Sequence, residues 1–284
     1  MEHSRQKLIS EFRLAKASGT LDNRIPDPEN NGNYDKSISE LYEYIRVHTE
    51  SAALKEFPYI VNKARLSPSS KLLDYGCGWG RLTFAASNYL DDQGSYVGLD
   101  INREAIDFLK SGYSLYPNFE FVLQEISDEE NYIYLNEGKT SSSNIKSSDL
   151  IIPDKYRNYF DAIFSHSVFT HMWMEGIVHT LKQQAKVLCN GGICINTWLV
   201  IDEYAQYVLR CGLADRQLPF RVNCAFTYDT QNPLLCTAYS LQDVYRMYTQ
   251  AGHQIISIEP GSWAGRDNGV TYQDIILSKP FVAL

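Results

Sequence analysis

The stretch that most constrains this chain is Lys71-Leu-Leu-Asp-Tyr-Gly-Cys-Gly-Trp-Gly-Arg-Leu82. It reads as a short buried strand (Leu72, Leu73), an acid, three glycines at alternate positions and the opening of a helix. Alternating glycines turn the backbone tightly and keep side chains out of the way. A ligand can then approach the main chain and meet the N–H groups of the turn. The last glycine separates two ligand classes. A dinucleotide fingerprint, Gly-x-Gly-x-x-Gly, would place a glycine at 81. Position 81 is Arg, the glycine stands at 80, and an NAD-dependent enzyme is thereby disfavoured.

A second strand, Ser95-Tyr-Val-Gly-Leu-Asp100, ends in an acid followed by Ile101. An acid at the carboxyl end of this strand is placed to accept hydrogen bonds from ribose hydroxyls. It can also cap the following helix, with Glu104 in the first turn. The run Asp74-x-Gly76-x-Gly78-x-Gly80, followed in order by Asp100, resembles motif I and its sequel in the class I S-adenosylmethionine-dependent methyltransferases. The resemblance spans roughly residues 70–280. It implies an α/β, Rossmann-like doubly wound sheet, mostly parallel with an antiparallel last strand, and S-adenosylmethionine as cofactor, released as S-adenosylhomocysteine. It assigns the cofactor site to Asp74, Gly76, Cys77, Gly78, Gly80, Asp100 and Ile101, with Glu125 and Ile126 against adenine and Ser165 at the end of the fourth strand.

The rhythm around these motifs agrees. Strands are expected at 71–75, 95–100, 119–124 and 159–165, with helices at 80–90, 102–112 and Glu175–Leu188, the last ended by Asn190-Gly-Gly. Ser240 to Ala251 reads as a helix with Ser240 as N-cap and Gly252 at its end. His253–Glu259 and Val270–Leu277 would be the final strands, an antiparallel hairpin in the family. Residues 1–66 read as an N-terminal helical extension or cap. It comprises a helix at 2–18, a polar connection from Thr20 to Asn33, and two helices in Ser37–Leu66 broken near Phe57-Pro58. Residues 67–284 form the methyltransferase domain with inserts at 127–158 and 201–238. The first insert contains the polar tract Gly138–Ser148, and the second is expected to face substrate.

Composition narrows the partners. The net charge of −8 disfavours a nucleic-acid partner, which usually meets a basic face. No apolar run reaches membrane-spanning length, and Met1–Lys7 lacks the apolar core of a signal peptide, so a cytoplasmic protein is expected. The six cysteines include no C-x-x-C pair and read as reduced, packed thiols. No acid or histidine spacing suggests a metal site.

Methyl transfer needs an aligned nucleophile and often a base for its proton. His166 and His171 follow the fourth strand and are the candidates, with His166 nearer the strand end; helix-start or packing roles are the alternative. Trp263 and Arg266, in a loop between the last two strands, are the candidate substrate-binding residues. The guanidinium would either bind an acceptor carboxylate or phosphate, or close the loop through a salt bridge. The reading is methyl transfer to a small organic acceptor, expected at oxygen. Transfer to nitrogen or carbon, and a catalytically silent protein that keeps the fold, are the alternatives.

Overall fold

The computed structural model describes residues 52–124, 151–267 and 269–281. Glu125 and Ile126, the tract 138–148, the helix expected at 2–18 and the connection 20–33 lie outside these residues. The chain divides into two compact units between Leu123 and Gln124.

The first unit opens with a π-helical turn, Ala52–Glu56, that passes into α1, Phe57–Ala64. The change falls at Pro58, whose ring nitrogen has no N–H to continue the preceding ladder. Next come β1 (Lys71–Tyr75), α2 (Thr83–Tyr89), β2 (Ser95–Asp100), α3 (Arg103–Gly112) and β3 (Phe119–Leu123). The three strands pair in parallel, with Leu73 opposite Val97 and Gly98 opposite Phe121. Four consecutive residues of β1 and of β2 are buried, as strands covered by helices on both faces require. The helix expected from Gly80 starts only at Thr83. Gly76, Gly78 and Gly80 all have positive φ (80°, 50° and 88°), and an α-helix cannot run through left-handed residues.

In the second unit β4 (Phe160–Ser165) runs parallel to β5 (Leu188–Trp198), which lies antiparallel to β11 (Asp274–Pro280). β11 is in turn antiparallel to β10 (His253–Glu259). The fold is α/β and Rossmann-like, mostly parallel with an antiparallel last strand, as expected from the sequence. Between β4 and β5 stands α4, Met174–Val187, and α6, Leu241–Gln250, precedes β10. Ser240 caps α6 by accepting from the Asp243 N–H at 3.1 Å, and Gly252 follows it at φ 78°.

Two expectations shift. Asn190-Gly-Gly does not stop a helix: β5 begins directly at Leu188, and the residues between it and Ile193 bulge out of the ladder. Gly191 has φ 88°, and a Cβ on Gly192 would lie 2.9 Å from the Asp161 carbonyl oxygen. The last strand starts at Asp274 rather than Val270, because the carbonyls of Thr271 and Tyr272 accept from Ser262 and Trp263 instead of joining the sheet.

The insert at 201–238 has structure of its own. Around it lie β6 (Val200–Ile201), α5 (Glu203–Arg210), the hairpin β7–β8 (Phe220–Val222, Ala225–Thr227) and β9 (Tyr239–Ser240). Its apolar side, Ala205, Val208 and Leu218, packs with Leu199, Trp263 and Ala264. The larger core of this unit joins Ile177 and Leu181 of α4, Val244 and Met247 of α6, and Trp198 and Ile276 of the sheet. Each such buried side chain contributes about 1.5–3 kcal/mol. No helix among the described residues is long and apolar enough to cross a membrane.

Candidate active site

The glycine turn is docked onto the end of β2. The N–H groups of Gly76 and Cys77 both donate to the Leu99 carbonyl, at 2.8 and 3.0 Å. Asp100 then holds the turn from the next residue: one carboxylate oxygen accepts from the Gly78 N–H at 2.7 Å, the other from the Asn102 N–H at 2.8 Å. Burial raises the Asp100 carboxyl above its ordinary range, and these backbone donors act against that rise. The helix-cap alternative is not realised by Asp100. Asn102 caps α3, its side chain accepting from the Ala105 N–H at 3.1 Å.

The glycines do different work. A Cβ on Gly80 would lie 2.5 Å from Leu109 Cδ2, so this glycine lets α3 pack against the turn. A Cβ on Gly78 would meet nothing within 4 Å. Beneath the turn, Cys77 is buried and fits because Gly98 lacks a side chain; a Cβ there would be 2.9 Å from Cys77 Sγ. Asp74 is also buried. It accepts from the Tyr96 hydroxyl at 2.6 Å, and that oxygen accepts from Thr83 at 3.0 Å. Burial, opposed by the Tyr96 bond and reinforced by the charge of Asp100, pushes the Asp74 carboxyl up to about 7. Arg81, which stands where a dinucleotide fingerprint needs glycine, forms an ion pair with the buried Glu56 of the π-helical turn. Ile101 is half-buried beside Asp100.

In the second unit Ser165 is buried, and its hydroxyl accepts from Gln184 of α4 at 3.0 Å. Its side chain is thus turned into the helix layer. His166 packs its ring against Phe164, with centroids 5.9 Å apart. Ser167 has φ 58°, an uncommon conformation for a residue with a side chain. A closed circuit holds it. The Ser167 N–H donates to Thr197 Oγ1 (2.8 Å), the Thr197 hydroxyl to Gln273 Oε1 (2.5 Å), and Gln273 Nε2 back to the Ser167 hydroxyl (2.9 Å). The turn after β4 is therefore fixed from the carboxyl end of β5 and the entry of β11.

His171 closes the short 3-10 helix Phe169–His171. Its Nδ1 lies 3.0 Å from the Leu234 carbonyl oxygen in the second insert. A carbonyl only accepts, so Nδ1 carries the proton and Nε2 is the basic nitrogen. Burial lowers the imidazole pKa below its ordinary value, against the Leu234 bond, and the Arg216 guanidinium lowers it further. The insert and the adjoining Tyr239 hold this turn at three more points. Thr237 N–H donates to the Thr170 carbonyl (2.7 Å), its hydroxyl to that of Phe169 (3.3 Å), and the Tyr239 hydroxyl to that of Met172 (2.7 Å).

The two loop residues expected to face substrate have other partners. Trp263 is 0% exposed and donates from Nε1 to Asp274 at 2.8 Å. The same carboxylate accepts from Val200 and Gly261, each at 2.7 Å. Arg266 Nη2 donates to both oxygens of Asp202 at 2.6 and 2.7 Å, while Asp202 caps α5, and the guanidinium lies 4.5 Å from the Tyr204 ring centre. For Arg266 the loop-closing alternative is the one realised, and a fully buried Trp263 presents no face to a ligand. No spacing in the sequence singled out Thr197, Gln273, Leu234 or Arg216. Among the described residues no group of three or more His, Cys, Asp or Glu is arranged to hold a metal ion.

Comparison with known proteins agrees with this geometry. A family profile described as a methyltransferase domain matches residues 66–252. A probable cobalt-precorrin-6B C(15)-methyltransferase (decarboxylating) of Thermoplasma acidophilum is 34% identical over 73 residues, 23% of this chain and 36% of that protein. The chain thus spans about a third of the length of this curated relative. Among solved structures, the PH0226 protein of Pyrococcus horikoshii OT3 aligns with TM-score 0.51 at 15% identity, over 83% of this chain and 91% of that one. An S-adenosylmethionine-dependent methyltransferase of Clostridium acetobutylicum aligns with TM-score 0.50 at 14% identity, over 87% and 98%. These two share the fold. With more than half its length matched by the family profile, the chain belongs to the methyltransferase domain family.

Proposed function

We propose that this chain is an S-adenosylmethionine-dependent methyltransferase acting on a small organic acceptor, at oxygen. The observation that carries the cofactor half is the open side of Gly78 next to the Asp100 carboxylate. A ligand can lie against that main chain. The carboxylate, which accepts one N–H on each oxygen, keeps lone pairs for ribose hydroxyls. Gly76, Gly78, Gly80, Asp100 and Ile101 would hold the cofactor. Asp74 and Cys77 would support the turn from below. Bound S-adenosylmethionine supplies an electrophilic methyl group, which leaves its C–S electron pair on sulfur.

The acceptor half rests on His171. Its Nε2, with no partner among the described residues, takes the proton of the acceptor hydroxyl as the oxygen gains the methyl group. The resulting imidazolium keeps Nδ1–H on the Leu234 carbonyl and returns the proton to water. His166 is the second candidate, carried by the fixed turn at Ser167. The net charge of −8 favours a small acceptor over nucleic acid.

The test is transfer of an isotopically labelled methyl group to a panel of hydroxylated, amino and carbon-acid acceptors. Label is expected on oxygen. Label confined to nitrogen or carbon would overturn the oxygen assignment, and no transfer to any acceptor would overturn the enzymatic one.

A further inference from the structure

Arg216 stands on the second insert, exposed, and no carboxylate among the described residues pairs with it. Four other arginines, 81, 157, 246 and 266, do have carboxylate partners. Arg216 instead lies within electrostatic reach of the Cys236 thiol and the Tyr272 hydroxyl, and its guanidinium lies 5.9 Å from the centre of the Tyr228 ring. Tyr228 and Tyr272 are each 41% exposed, so one ring face and a second exposed tyrosine neighbour a guanidinium with donors to spare. Asp215, its neighbour in sequence, forms no ion pair with it, and the Asp229 carboxylate next to Tyr228 is engaged by the N–H groups of Gln231 (2.7 Å) and Asn232 (3.0 Å).

The location matters as much as the composition. Tyr272 is followed by Gln273, which bonds to Thr197 at the carboxyl end of β5 and to Ser167 just beyond β4. Leu234 and Cys236 bracket the segment that fixes His171. In sheets of this kind ligands bind outside the carboxyl ends of the strands. The Arg216 charge is also felt by the His171 imidazole, and it favours the neutral, basic form.

We infer that Arg216, Tyr228 and Tyr272 form the acceptor subsite, and that the acceptor is a planar hydroxy acid whose carboxylate binds the Arg216 guanidinium beside His171. This rests on the proposed small-acceptor reading and names its substrate class. A guanidinium presents paired donors matched to a carboxylate, and such charge-assisted pairs are stronger than neutral ones. The rings offer stacking faces for a planar acid.

The experiment is calorimetric titration of the full chain, with and without saturating S-adenosylhomocysteine. The titrants are 2-hydroxybenzoate and 4-hydroxybenzoate, each compared with its neutral benzamide. At least one acid is expected to bind about tenfold or more tightly than its amide. Arg216→Gln should abolish that preference, Arg216→Lys should keep part of it, and the affinity for S-adenosylhomocysteine should not change. Acid and amide binding alike, neither acid binding, or a preference that survives Arg216→Gln would overturn the subsite. The two readings fail separately. A carboxylate preference without S-adenosylhomocysteine binding leaves the anion subsite standing and removes the cofactor reading. S-adenosylhomocysteine binding without the preference does the reverse.

Discussion

The glycine turn of the first unit and the edge after β4 in the second are built in opposite ways. The turn is made of main chain. Three positive-φ glycines, two N–H bonds to Leu99 and one from Gly78 to Asp100 define it, and the side chains below only support it. The edge is made of side chains. Ser167, Thr197 and Gln273 form a circuit, and His171 is set by a carbonyl 63 positions along the chain. A main-chain site suits a ligand common to many enzymes, whereas a side-chain site can be changed residue by residue to suit one acceptor. Predictions about the turn should therefore read out as cofactor affinity or folding, and predictions about the edge as turnover.

The largest effect expected is at the edge. His171→Ala should lower kcat by about 10²–10⁴-fold with the affinity for S-adenosylhomocysteine retained. In the parent, the rate should rise with pH through a pKa below the ordinary histidine value and be level above it, since burial and Arg216 favour the neutral base. Single-turnover rates on folded protein check both points. A loss of cofactor affinity equal to the loss of rate would erase the contrast between the two regions.

Asp74 tests the support of the turn. Its folded pKa of about 7 lies above the ordinary 3.8, so the folded state holds this proton the more tightly. The stability it contributes is full below about pH 4 and is lost as pH rises to about 7. At about 1.4 kcal/mol per pKa unit this amounts to a few kcal/mol. Asp74→Asn removes the titration. The difference in unfolding free energy between parent and variant should change by that amount across the window, with the parent relatively weaker at pH 8. Denaturant unfolding at a series of pH values measures it, and a constant difference would contradict the assignment.

The two glycines sharpen the contrast within the turn. Gly80→Ala drives a Cβ against Leu109 at a positive φ and should cost about 2–4 kcal/mol of stability. Gly78→Ala meets only open space, so its stability cost should be the smaller, about 1–2 kcal/mol from φ alone. Its affinity for S-adenosylhomocysteine should nonetheless fall. Thermal unfolding and calorimetry on both variants separate the two effects. Equal stability losses would mean that the glycines share one role.

What the sequence disclosed follows the same division. The turn, Asp100 at a strand end, and Ser240 and Gly252 around a helix are local signals, and each stands where spacing placed it. Gly80 and Asn190-Gly-Gly are ambiguous as sequence, because glycine marks any tight or positive-φ position. Whether it opens a helix, prolongs a turn or bulges a strand is decided by its partners. The Ser167–Thr197–Gln273 circuit had no linear signature. Its members are 30, 76 and 106 positions apart and meet only because β5 pairs with both β4 and β11. Arg266 and Arg216 look alike as sequence. The fold sets both near a tyrosine ring but gives a carboxylate only to the first.

The most direct test of the central claim is calorimetric titration of S-adenosylhomocysteine into the parent chain and into Asp100→Ala, with thermal unfolding of both. Saturable binding to the parent is predicted, weakened in the variant by about 1.5–3 kcal/mol through lost charge-assisted hydrogen bonds, with the variant still folded. Absence of binding to the folded parent at millimolar ligand, or equal affinity in the two proteins, would contradict the assignment of this turn as the cofactor site.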